Sequence, residues 1–354
     1  MPLTATEQRA TLKRRFLVKG VTIATVSGVA YGLYSAFVTH AMGQGVWGSW
    51  KNADSIFSTF VLVYVLGVMA SGINDLCSAL WAVGIAGVKG KLADVFRTIK
   101  TKPGLVIMAC AVIGGPISSA AYIIALQMAG SIIAPITALC PALGAILSRV
   151  LLKQKLTPRM MVGIVVCLAA TTMIAWSSLR DGAREGALLG CAIAFLAALG
   201  WAVEGTIAGF GTTVVDNEIG ITIRQLTSGV VNLVLFVPLA CLIAGNVSLA
   251  PVLIGRALTS PPAMLFFLIS GLFAYFTYSF WYKGNSMCGT ALGMACNGAF
   301  SFWVPFCCWL ILGVGFGQPG WALEPIAWVA AVVMIAGIVL IAVNPFAWLH
   351  KKEA

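Results

Sequence analysis

The chain alternates between long apolar runs and short polar breaks. A helix that crosses a bilayer needs about 20 mostly apolar residues. Ten runs are candidates: Phe16–Thr39, Ile56–Ala86, Leu105–Met128, Ser131–Leu152, Met160–Trp176, Gly186–Gly209, Ile221–Ile243, Met264–Phe280, Met287–Val314 and Ile326–Val343. They predict an all-α integral membrane protein with ten transmembrane helices. The hydrophilic stretch Ser177–Glu185 divides them into two sets of five. The predicted organisation is a tail over 1–15, a five-helix unit over 16–178, a linker over 179–185, a second unit over 186–344 and a tail over 345–354. The first run follows Lys13, Arg14 and Arg15, as in a secretory leader. It is too long for a leader's apolar core and more runs follow, so it reads as a retained helix.

Composition agrees with the pattern. Of the 354 residues, 60% are hydrophobic and 9% charged. Soluble domains carry about 25% charge, so these polar side chains are too few to cover a globule in water. The net charge is +11, which in a soluble protein would raise nucleic acid as a partner. Here the basic residues sit at the edges of apolar runs, and nucleic-acid binding is not expected.

Those edges predict an orientation. With the N-terminus in the cytoplasm, the inner segments hold 17 Lys and Arg residues and the outer segments hold four: Lys51, Arg180, Arg184 and Arg256. Such a bias is the positive-inside pattern. It puts both termini in the cytoplasm, and the short loops point to a bacterial inner membrane. Arg224 lies just inside the seventh run, where it is expected to snorkel towards the interface.

The halves resemble each other. Gly115, Tyr122 and Cys140 fall on Gly271, Tyr278 and Cys296 at a constant offset, and Pro141 then falls on Asn297. Gly20, Ala30 and Tyr31 fall on Gly190, Gly200 and Trp201 at a slightly larger one. Because each half holds an odd number of spans, the second copy runs the other way across the membrane. An inverted repeat of this kind is the architecture of many secondary transporters.

The chain resembles the drug/metabolite transporter superfamily, with two EamA-type repeats, from about Phe16 to Val343. The most specific stretch is Ala121–Ile174. It carries Tyr122, Leu126, Ser131, Cys140-Pro141, the polar turn Lys153-Gln154-Lys155-Leu156-Thr157 and Gly163. Arg224 stands where such repeats often carry an arginine at the start of the second helix. The chain departs from the pattern at Gln154, where a Glu is usual, and at Gly313–Gly320, which replaces the second polar turn. The resemblance implies a central cavity formed by spans one to four and six to nine, with spans five and ten supporting it outside.

Two acids fall inside apolar runs, Asp75 and Glu204. An ionisable group at bilayer depth costs about 2.5–3.5 kcal/mol and marks a functional site by default. The structural alternative is a pair with a buried cation, or a protonated acid bonded to a neighbouring helix. Asp75 shares a face with Ser71, Gly72, Ser78, Ala79 and Ala82, and Glu204 with Ala197, Gly200, Trp201 and Ala208. Small residues on these stripes predict contact with helices or a cavity rather than lipid. Asn74 and Trp81 flank Asp75, and Trp201 lies a turn from Glu204. The resemblance adds that the related small multidrug-resistance proteins use a first-helix glutamate to exchange protons for cationic drugs. Glu204 matches that position, and its counterpart in the first half is Tyr34.

Span eight is rich in aromatics, among them Tyr275, Tyr278, Trp281 and Tyr282. An aromatic face attracts a cation by about 0.5–2 kcal/mol, although ordinary packing explains the same stripe. The expected substrate- or proton-binding residues are therefore Glu204, Asp75, Trp201, Asn74, Tyr34, Tyr278, Trp281 and Asn297. Ten cysteines lie mostly within apolar runs and read as packing residues; two histidines, His40 and His350, lie at run edges. Neither a metal nor a cofactor is expected. No paired-acid or HExxH pattern suggests an enzyme, and no GxxxxGK[ST] loop suggests ATP hydrolysis by this chain. The expected function is secondary transport of a small metabolite by alternating access, proton-coupled and for a cationic or amphipathic amine-like solute. The alternative is a neutral or zwitterionic solute, with structural acids. A membrane enzyme or a scaffold ranks below both.

Overall fold

The computed structural model describes residues 5–51, 57–151, 157–180, 186–211, 214–288, 290–322 and 325–342. Gln154 and most of its polar turn, most of the 179–185 linker and the C-terminal tail lie outside the described residues. The described residues form helices and connecting turns with no strand. In a helix every backbone polar group is satisfied within its own segment, so this is the structure that so apolar a sequence can form without water.

The helices, in chain order, are α1 (Ala5–Ala41), α2 (Gly45–Trp50), α3 (Leu66–Val88), α4 (Leu92–Ile99), α5 (Lys102–Val112), α6 (Ala120–Ala129), α7 (Ile133–Thr137), α8 (Cys140–Leu151) and α9 (Pro158–Arg180). After the linker come α10 (Ala187–Gly211), α11 (Asn217–Val231), α12 (Val237–Ile243), α13 (Leu249–Leu258), α14 (Pro261–Cys288), α15 (Thr290–Asn297), α16 (Phe300–Cys307) and α17 (Pro325–Ala342). Short π-helical turns lead into α3, join α5 to α6, join α11 to α12 and follow α16. Among the described residues, six helical stretches are long and apolar enough to cross a membrane: Arg15–Ala41, Val61–Val88, Lys102–Ala129, Ala187–Ile207, Asn217–Ile243 and Pro261–Cys288. They coincide with six of the ten expected spans.

The other expected spans differ in kind. Span four is broken between α7 and α8, where Pro141, the second residue of α8, has no N–H to continue a helix from the preceding turn. Span nine is broken at Gly298-Ala299, between α15 and α16. Spans five and ten correspond to α9 and α17, which pack on each other. Span eight runs longer than expected, as the 28 residues of α14. Three segments read as loops contain short helices, α2, α4 and α13.

Packing is organised by pairs of helices. The most extensive contact is α1 on α14. The first helix of the second half, α10, lies along α5, α6 and the π turn between them. In the middle, α3 packs on α11. Large apolar side chains such as Val165, Val234, Leu235, Leu242 and Val332 point outward, as expected where the surrounding medium is apolar.

Candidate functional site

Three polar pairs join α3 to α11 and the first residue of the π turn that follows it. Asn232 donates to Ser71 at 3.2 Å, Ser228 donates to Asp75, and Gln225 donates to Ser78. As numbers rise along α3 they fall along α11, so the two helices are antiparallel. Each set recurs at three- to four-residue spacing, which puts it on one helical stripe. All six side chains are buried, and a buried polar group is stable only when bonded.

One turn before Ser228 on α11 stands Arg224, which is fully buried. The sequence expectation that it snorkels to the interface is therefore overturned. Its Nε donates to Oε1 of Glu204 at 2.9 Å and its Nη2 to Oε2 at 3.3 Å, a two-point pair between planar groups. Nη1 donates to Gln225, and the guanidinium carbon lies 3.6 Å from the centre of the Tyr278 ring. Tyr282 donates to Oε1 of Glu204 at 2.9 Å. Burial makes these bonds mandatory, because an unpaired charge here would lose its hydration without replacement.

The π turn between α5 and α6 makes the space. Pro116 lies within it, and the opened backbone leaves carbonyls to be satisfied from the side. Ser118 donates to Ile113 O at 2.7 Å and Ser119 to Gly114 O at 2.9 Å. The indole of Trp201 also donates to Gly114 O, at 3.0 Å. A Cβ at Gly114 would overlap the Glu204 carboxylate, and one at Gly115 would overlap the Ser228 hydroxyl. Two glycines thus let α10 and α11 bring their polar groups against this turn.

Asp75 lies within electrostatic reach of both Arg224 and Glu204. Two carboxyl groups and one guanidinium therefore lie in one fully buried cluster, Glu204 paired with Arg224 and Asp75 bonded to Ser228. With both acids ionised, the cluster carries one surplus negative charge, which is unfavourable in an apolar interior.

Beside the cluster lies a cavity of about 20 Å³, lined by Tyr31, Cys140, Trp201, Thr277, Tyr278, Trp281, Asn297 and Phe300. It holds about one water-sized solute. Tyr278 connects the two features: its ring packs against Arg224, its hydroxyl lies 3.0 Å from Ser119 and it also borders the cavity. Tyr31 stacks on Phe300 at 4.6 Å and meets the rings of Tyr34, Tyr122 and Trp201 edge-on. No residue lining the cavity carries a formal charge.

Of the expected site residues, Trp201, Tyr278, Trp281 and Asn297 line this cavity. Asn297 also donates to Ser27 at 2.6 Å. Glu204 and Asp75 lie in the neighbouring cluster. Asn74 accepts from Ser270 at 2.6 Å and Tyr34 packs within the aromatic group, so both support the site rather than line the cavity. Sequence reasoning did not select Ser228, Gln225 or Tyr282. The spacing of Gln225, Ser228 and Asn232, three and four residues apart, was the available signal.

No family model matches the chain, and no curated protein sequence matches it. Eighteen chains of solved structures match. One, described only as the crystal structure of a protein, is 16% identical with a TM-score of 0.55, over 95% of this chain and 98% of that one. At that identity the likeness concerns the fold alone.

Proposed function

We propose that this chain is a secondary active transporter of a small metabolite, working by alternating access on a ten-span bundle of two inverted five-helix repeats. The observation that carries the reading is the fully buried Glu204–Arg224–Asp75 cluster where helices of both halves meet; the water-sized aromatic cavity beside it must widen, by movement of those helices, to admit a metabolite. A site enclosed at the junction of two repeats is where such transporters bind substrate.

Helix packing supports the repeat. The first helix of each half packs on the third of the other, α1 on α14 and α10 on α5 and α6. The second helices, α3 and α11, pack antiparallel on each other, and the fifth, α9 and α17, do likewise as a pair. The fourth is broken in both halves, and a short helix precedes the third in both, α4 and α13. Exchanging the halves therefore preserves the pattern of contacts. The EamA-like motifs agree with it, and basic residues at the ends of runs favour cytoplasmic termini in a bacterial inner membrane.

Proton coupling follows from the charge count. Neutrality of the cluster requires one proton on a carboxyl group or one cationic solute nearby. Asp75 is the carrier in this reading, since Glu204 already makes a two-point pair with Arg224. Aromatic walls suit an amine-like or amphipathic solute through cation–π contact. A specific observation favours the second reading, a neutral or zwitterionic solute: the cavity lining is uncharged, and Glu204 is occupied by Arg224. An enzyme would need a nucleophile or acid pair open to its substrate, and a scaffold would not need the buried charges.

The test is thermal stability of the purified protein at pH 6 and pH 8 against amines, amino acids, sugars and nucleosides, followed by uptake of any binder into proteoliposomes. A ligand at 100 times its Kd adds about 2.7 kcal/mol. An amine whose effect grows at pH 8 and vanishes in Asp75→Asn supports proton exchange. A neutral solute acting equally at both pH values supports the second reading. A binder that is never transported refutes both.

A further inference from the structure

At one end of the bundle lies a second, larger crevice of about 400 Å³, between the end of α3, the start of α11 and the last turns of α14. It is distinct from the central cavity. On α14, Tyr275, Phe276, Ser279 and Lys283 border the crevice, whereas Thr277, Tyr278 and Trp281 border the cavity. At 100° per residue these sets occupy opposite faces of the helix.

Three lysines and two acids line the crevice. Lys89 pairs with Glu218, and Lys91 pairs with Asp216 at 3.0 Å and with Glu218 at 2.9 Å. Lys283 has no acidic partner among the described residues and is exposed. The lining thus carries one net positive charge. The rest of its wall mixes the apolar Ile85, Phe276 and Phe280 with the polar Asn217, Tyr275 and Ser279. Phe276, Phe280 and Lys283 follow a spacing of four and three residues, so a charged group at Lys283 continues into an apolar track along one stripe of α14.

The geometry points to a binding site for a phosphate-bearing anion, with the phosphate at Lys283 and its organic part along Phe280 and Phe276. Two sources share this chemistry, the headgroup of an anionic phospholipid and a small soluble phosphate. The crevice sits where three long apolar helices end, at the level of the headgroups if those helices span a bilayer; this placement rests on the membrane reading above. Basic pockets between spanning helices at that level suit lipid phosphates.

The experiment reconstitutes the protein in phosphatidylcholine nanodiscs with and without phosphatidylglycerol, and reads retained lipid by native mass spectrometry and thermal stability. Parent, Lys283→Gln and Lys100→Gln are compared; Lys100 is exposed and does not line the crevice. Preferential retention of phosphatidylglycerol, reduced roughly fivefold by Lys283→Gln and unchanged by Lys100→Gln, supports the site. Displacement of that lipid by inorganic phosphate or glycerol phosphate, or stabilisation by these alone that Lys283→Gln removes, also supports it and identifies the soluble source. Equal retention of both lipids with no response to soluble phosphate overturns the site, as does an equal loss in Lys100→Gln. Failure to remain in phosphatidylcholine discs overturns the membrane reading itself.

Discussion

Glu204 accepts two hydrogen bonds from Arg224, at 2.9 and 3.3 Å, and neither side chain is exposed. The two residues come from α10 and α11, which are joined by a short connection. Their pairing fixes how the first two helices of the second half meet. Asp75, on α3, ties the same cluster to the first half through Ser228.

Breaking the pair from one side strands a buried charge. Arg224→Met is expected to destabilise the protein by about 3–5 kcal/mol. The double variant Glu204→Gln with Arg224→Met removes both charges, and part of the loss returns. Denaturant unfolding in detergent, arranged as a double-mutant cycle, measures the coupling. Additive losses contradict the pairing.

Space at the π turn is the next point of test. Gly114→Ala places a methyl where the Glu204 carboxylate lies. Such overpacking costs about 1–3 kcal/mol. Gly84 has open space around it, so Gly84→Ala is the control and keeps or slightly raises stability through its better helix propensity. Thermal melts compare the two.

Tyr278 makes two separable contacts. Tyr278→Phe removes the bond to Ser119 and keeps the ring beneath Arg224; Tyr278→Leu removes both. The phenylalanine variant is expected to lose about 1 kcal/mol. The leucine variant loses a further 0.5–2 kcal/mol, roughly the range for a cation over a ring. Equal losses would mean that the ring contact contributes nothing.

The ion pairs at the crevice give a pH dependence. Burial opposes ionisation of Asp216, but hydrogen bonds from Lys91 and from the backbone N–H groups of Glu218 and Ile219 hold its carboxyl below the ordinary range. A depressed pKa gives stability that is present above the unfolded value, near 4, and lost as pH falls through the folded one. The hydrogen bond to Glu218 raises the Lys91 pKa, against an opposing effect of burial and with Asp216 adding to the rise. Its contribution is full below the ordinary lysine value and is lost as pH rises through the folded one. Each pair is partly exposed, so about 0.2–1 kcal/mol is expected. Asp216→Asn should flatten the acid limb while keeping a cap for α11, whereas Asp216→Ala loses the cap as well, about 1 kcal/mol more. Stability measured from acid to alkaline pH in the three proteins separates the roles.

Hydrophobic run length determined the helical class and the location of the six long apolar helices, because an apolar helix satisfies its backbone locally. The break before α8 falls at Pro141 for a similarly local reason, its missing N–H. The isolation of Asp75 and Glu204 in apolar runs marked them for attention, and the small residues around Asp75, among them Ser71 and Ser78, put it on a face of α3 turned to other helices or a cavity. The partners of those acids depend on register between helices distant in sequence, and only the tertiary structure decided them. It turned Arg224 inward to Glu204, since burial against α10 gives the guanidinium a two-point partner that an interface would not. It also opposed Ser71, Asp75 and Ser78 to Asn232, Ser228 and Gln225, and divided α14 into one face on the aromatic cavity and another on the lysine crevice.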